Sequence, residues 1–172
     1  HAELLSFDQI KRAKKLNLVL SMQPVFETLL GNTQKGLYEG CNELYVESLG
    51  ERHLRTNMFR QILDEGIVIC AGSDSALTPV NPLLGIYSAV NHPKKDHAVT
   101  LIEAIKMFTS SAAYATFSES ERGSIEKGKK ADLTVLDKDI QKAKPESIKD
   151  ISVDITIRDG RIVYSRNREE LL

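Results

Sequence analysis

The sequence predicts an α/β chain in which parallel βα units, running to about residue 117, are followed by a small β module. Three observations carry this. Two short runs, Leu18-Val19-Leu20-Ser21-Met22 and Ile67-Val68-Ile69-Cys70-Ala71, are mostly apolar without alternation, as strands buried on both faces are. Helical periods with N-cap signals surround them. After Phe117 turn residues dominate, and Asp159-Gly160 sits between two short strands as the strongest local signal for a two-residue hairpin.

Element by element, Ser6-Phe7-Asp8-Gln9 is a capping box and opens a helix over residues 7 to 16, with Leu5 and Ile10 placed for a hydrophobic staple. The first strand follows and ends at Pro24. Residues 27 to 50 hold Gly31, Gly36, Gly40 and Gly50 with little periodicity, which predicts a long functional loop. From Glu51 a helical period returns through Leu54, Met58 and Ile62, with Gly66 as its C-cap. The second strand then closes in Gly72-Ser73-Asp74. Asn81-Pro82 supplies an N-cap and a first-turn proline for a helix to about Val90. Thr100 to Glu103 is a second capping box, opening one helix to about Tyr114. Beyond Phe117, a strand at Leu133–Leu136, one helical turn at Pro145–Lys149 and a hairpin from Ile155 to Tyr164 complete the chain. The expected division is 1–117 and 118–172.

Two strands, or three if His1 ends another, cannot be a whole (β/α)8 barrel, which takes about 250 residues. So small a parallel sheet has open edges and an uncovered apolar face. It calls for a partner, either a missing N-terminal half of the barrel or a second copy in a homo-oligomer. The chain starts at His1 without methionine and runs straight into a helix start, so the expectation is a piece cut from something longer.

Composition narrows the function classes. Charged residues make up 27% and the formal net charge is −1, so neither nucleic acid nor an anionic membrane is favoured as a partner. Lys11 to Lys15 and Lys127 to Lys130 read as solvated faces. No apolar run reaches about 18 residues, so no transmembrane helix is expected. Cys41 and Cys70 lie in unlike contexts, a disulfide is not expected, and a reducing cytoplasm is the default location.

Among titratable residues Asp74 stands first, because it directly follows a buried strand at its C-terminal end, where barrel enzymes place catalytic groups. Its carboxylate either binds a divalent cation and takes a proton from bound water, or caps the following turn. His1 shares that rim if His1-Ala2-Glu3 ends a strand; otherwise it is a disordered terminus. His53, His92 and His97 read as surface residues. Glu3, Glu27 and Glu39 fall on the rim or its loop without an assigned role. No zinc-type Cys/His spacing, phosphate loop or Gly-x-Ser-x-Gly elbow is present.

Taken in order, His1-Ala2-Glu3-Leu4-Leu5-Ser6, Ser21-Met22-Gln23-Pro24, Gly72-Ser73-Asp74, the stretch Asn81 to Val90, Thr100 to Ala104 and Gly123 to Leu133 cover most of the chain. Together they resemble the amidohydrolase superfamily, and within it the YtcJ-like amidohydrolase 3 group that includes N-substituted formamide deformylases. The resemblance implies the C-terminal part of a TIM barrel, about strands six to eight, followed by strands of a small β-sandwich. It implies that His1 is the metal-binding histidine ending strand six. Residues 17 to 24 match strand seven, with loop 27 to 50 facing the substrate. Asp74 matches the aspartate ending strand eight, both metal ligand and base for the hydrolytic water. A divalent metal, zinc foremost, is the implied cofactor, and a formamide or cyclic amide the implied kind of small-molecule substrate.

This sequence departs from the family pattern by lacking the His-x-His pair of the first strand, the bridging group of the fourth and the histidine of the fifth. Two ligands remain where catalytic zinc typically has three plus water. The expectation is therefore a fragment that alone holds no catalytic metal and hydrolyses nothing. Two further readings stand beside it: a non-catalytic assembly module or degenerate paralogue, and an amidohydrolase of the D-aminoacylase or imidazolonepropionase kind.

Overall fold

A computed structural model of the chain describes residues 1–29 and 44–167. The first helix, α1 (Phe7–Lys15), starts as its capping box requires: Ser6 Oγ accepts from the Gln9 amide and the Gln9 side chain accepts from the Ser6 amide. It buries Ile10 and Ala13. Strand β1 (Leu20–Met22) leads through Pro24 into a short helix, α2 (Val25–Leu29). Helix α3 (Leu44–Leu49) runs into a 3-10 segment, Gly50–Arg55, and then α4 (Phe59–Asp64) leads to β2 (Ile69–Ala71). The stretch expected as a loop from 27 to 50 is thus helical at both ends. Its residues 30–43, with Tyr38, Glu39 and Cys41, lie outside the described residues.

The strands pair in parallel, Leu20 with Ile69, Ser21 with Cys70 and Met22 with Ala71. Each is two residues shorter than the apolar runs suggested, for one reason. The amides of Leu18 and Ile67 bond back to Ala13 and Ile62, closing the preceding helix ends instead of joining the sheet.

Helix α5 (Pro82–Val90) begins at Asn81, whose side chain accepts from the Leu84 amide. The single helix expected from Thr100 to Tyr114 is two, α6 (Leu101–Phe108) and α7 (Ser110–Ala115). They break at Thr109 (φ −125°, ψ −94°), where Gly123 packs so closely that a Cβ there would sit 2.6 Å from Ala113 Cβ. The single period expected from Glu51 also breaks, at Asn57, which is left-handed (φ 49°) and directs its amide out of the helix to Glu3 O at 2.8 Å.

The last segment forms an antiparallel meander, β3 (Leu133–Leu136), β4 (Val153–Arg158) and β5 (Arg161–Ser165). Asp159 and Gly160 both have positive φ (50° and 75°), as a type I′ hairpin turn demands. Residues Pro145–Asp150 make a 3-10 turn against α5, with Lys149 Nζ 5.4 Å from the centre of the Tyr87 ring. Ile148 and Ile151 sit in the same buried cluster as Ile10, Met22, Phe59 and Ile69. Both segments therefore contribute to one core. Among the described residues no helix is long and apolar enough to cross a membrane.

Candidate active site

The C-terminal end of β2 runs into Gly72-Ser73-Asp74, and Asp74 adopts a left-handed backbone (φ 53°) that aspartate tolerates better than most residues. The turn beyond is closed by its carbonyl, which accepts from the Leu77 amide at 2.8 Å, and by the Thr78 hydroxyl, which donates to Ser73 O. The carboxylate instead faces His1, with Oδ2 3.8 Å from His1 Nε2. Both side chains reach water, His1 being 53% and Asp74 41% exposed. Residues 1–5 form no strand: Ala2 is left-handed (φ 55°), and the segment is held by the bond from Asn57 N to Glu3 O. His1 is positioned all the same. Its ring stacks on Phe26 of α2 at 5.8 Å between centroids, and its Nδ1 lies 3.5 Å from Glu3 Oε1.

A zinc ion with bonds of about 2.0–2.1 Å holds neighbouring ligands roughly 3.3 Å apart in a tetrahedron. The His1–Asp74 separation of 3.8 Å is within half an ångström of that, and an imidazole nitrogen with a carboxylate oxygen is a donor set suited to such an ion. The pair fits as two ligands of one cation. Among the described residues no group of three or more His, Cys, Asp or Glu side chains could hold a metal. A cavity of about 200 Å³ opens beside this rim, lined by Val25, Ala71, Ser73, Val80 and Phe108, and is largely apolar.

Three residues without an assigned role in the sequence lie just beneath. Glu27, on α2, is fully buried. Asn57 Nδ2 donates to its Oε1 at 2.9 Å, and His92 Nε2 lies 3.7 Å from its Oε2. The surface placement expected for His92 and His97 is wrong: they are 3% and 9% exposed. The Pro93-Lys94-Lys95 loop folds inward onto α4 and the 3-10 segment. There His97 contacts Gln61 Oε1 at 3.0 Å and Leu54 O at 3.2 Å. His92 packs edge-on against Phe59 and His97. Because the Lys94 amide donates to His92 Nδ1, the neutral ring carries its proton on Nε2, toward Glu27. Burial, reinforced by His97 and Lys94, pushes the His92 imidazole down to about 3. Burial also lowers Lys94, against the pull of Glu27. The signal for Glu27 was its place among Val25, Phe26 and Leu29; nothing local marked His92.

The sequence profile of the amidohydrolase family matches residues 1–164. The chain is 30% identical over 97% of its length to YtcJ of Bacillus subtilis strain 168, which carries the name of an amidohydrolase, and covers 32% of that protein. It is 29% identical over 94% of its length to the N-substituted formamide deformylase of Arthrobacter pascens, covering 34% of it. Among solved structures, an uncharacterized metal-dependent hydrolase from Pyrococcus horikoshii OT3 superposes with a TM-score of 0.63 at 27% identity, over 76% of this chain and 26% of that one. The chain thus spans about a third of the length of the curated relatives it matches.

Proposed function

The chain belongs to the amidohydrolase family, and from that premise we propose that it forms the C-terminal part of a metal-dependent hydrolase of non-peptide C–N bonds, such as those of a formamide or cyclic amide. The observation that carries this is the convergence of His1 Nε2 and Asp74 Oδ2 at 3.8 Å beyond the C-terminal end of a parallel strand. In this reading β1 and β2 are the seventh and eighth barrel strands and His1 stands at the end of the sixth. The rest of the barrel, or a second copy of the chain, supplies the remaining ligands and covers the open edges of the two-stranded sheet.

A divalent cation held by His1 and Asp74, zinc by donor chemistry, supplies Lewis acidity toward the carbonyl and toward the hydrolytic water. The chain's own residues do the rest. The Asp74 carboxylate, open to solvent on one side, accepts a proton from water and returns it to the leaving nitrogen. The Phe26 ring holds the His1 imidazole in place by stacking. The apolar cavity beside Ser73 suits a nonpolar substituent of the substrate. With two donors among the described residues, the chain by itself should retain no zinc through purification and hydrolyse no amide.

Asp74→Asn in the full-length protein tests the assignment: kcat should fall by about 10²–10⁴, the span over which a positioned acid–base group acts. Undiminished turnover sinks it. Near-stoichiometric zinc by elemental analysis of the isolated chain would refute the two-ligand reading.

A further inference from the structure

Within the described residues His1 is reached by packing and hydrogen-bonded segments that start from α2 and from Asn57. The chain turns between His1 and Glu3, where Ala2 is left-handed, so the imidazole sits where the Glu3 backbone is fixed. Glu3 O accepts from the Asn57 amide at 2.8 Å. Asn57 is fully buried and left-handed, and its side-chain amide donates to Glu27 Oε1 at 2.9 Å. Glu27 is itself fully buried beside Phe26, the residue that stacks on His1. Helix α2 therefore reaches His1 by two routes: directly through the Phe26 ring, and through the bonded path Glu27, Asn57, Glu3.

A buried carboxylate costs several kcal/mol unless hydrogen-bonded, and a left-handed non-glycine residue is uncommon. Both features occur here in one linked pair. With the Lys94 amide donating to Nδ1, the neutral His92 ring turns an N–H toward Glu27.

We propose that Glu27 and Asn57 are a buried positioning pair that holds the His1 imbedding segment, residues 1–3, so that the imidazole meets Asp74. This rests on the reading of His1 as a metal ligand. It is the hydrogen bond from Asn57 to Glu27, not the charge of Glu27, that does the holding.

The test is zinc affinity of the full-length protein, read by chelator competition alongside thermal unfolding. Asn57→Gly keeps the left-handed backbone and the amide to Glu3 but removes the side-chain bond. Glu27→Leu removes the acceptor, and Glu27→Gln restores one without charge. Asn57→Gly and Glu27→Leu should each weaken zinc binding about tenfold, the lower end for partners that orient a ligand, and Glu27→Gln should recover to within about threefold. His1→Ala should lose at least as much as either. Where Glu27→Leu does not fold, the contrast between Asn57→Gly and Glu27→Gln decides. Lower thermal stability with unchanged zinc affinity in Asn57→Gly marks an ordinary core defect and overturns the proposal, as does a Glu27→Gln variant as weak as Asn57→Gly. Unchanged affinity in His1→Ala instead overturns the ligand reading beneath it.

Discussion

Two acid–histidine pairs, one at the rim and one buried, differ in their surroundings. His1 and Asp74 are 3.8 Å apart with both side chains about half exposed. His92 and Glu27 are 3.7 Å apart with neither exposed at all. Nearly equal distances give different chemistry. At the rim, water can deliver and remove protons, which suits ligation and acid–base work. Below it, desolvation keeps His92 neutral and binds the pair to the stability of the fold.

The largest effect should come from the packing around the buried pair. Phe59, fully buried and edge-on to His92, should cost about 3–5 kcal/mol as Phe59→Ala, read by urea denaturation. Next is acid. An unfolded histidine takes up a proton below about 6.5, whereas His92 in the fold does so only near 3, so the unfolded state binds more protons across that window and stability falls as pH drops. Between pH 7 and 5 the loss should be about 2 kcal/mol, at 1.36 kcal/mol per pH unit below 6.5. His92→Gln should flatten that part of the profile, and an unaltered slope would assign the effect elsewhere. Smaller again is Arg60, whose Nη1 donates to both Glu103 carboxylate oxygens at 2.9 and 2.8 Å from a part-buried position. Arg60→Ala should lower stability by about 1 kcal/mol in the same assay. Smallest of all, Asp74→Asn should change stability by less than about 0.5 kcal/mol while lowering kcat of the full-length protein, which would separate the rim from the core in a single variant.

What the sequence disclosed follows the same line. Both capping boxes, the Asn81 cap, the Asp159-Gly160 turn and the apolar runs that hold β1 and β2 were legible because each is specified within a few residues. That Asp74 follows the end of a strand was legible from the apolar run before it. His92 and His97 were not, because their partners Phe59, Gln61 and Leu54 lie more than thirty positions away and the intervening Pro-Lys-Lys looks solvent-facing. The helix breaks at Asn57 and Thr109 were hidden for a like reason. Each is imposed by a distant segment, Glu3 in one case and Gly123 in the other, while the local period runs on unbroken.

The sharing of one core by Ile10 and by Ile148 and Ile151 bears on how the chain is made. On the ribosome the chain emerges from its amino end at about 5–20 residues per second. Residues near position 10 must then wait for those near 150 before their apolar surface is sealed, an interval on the order of ten seconds at that rate. Closure over so long a loop is also entropically slow. While residues 10 to 150 are being made, the nascent chain thus carries an unfinished hydrophobic seam, and holding that seam shut is work for a chaperone.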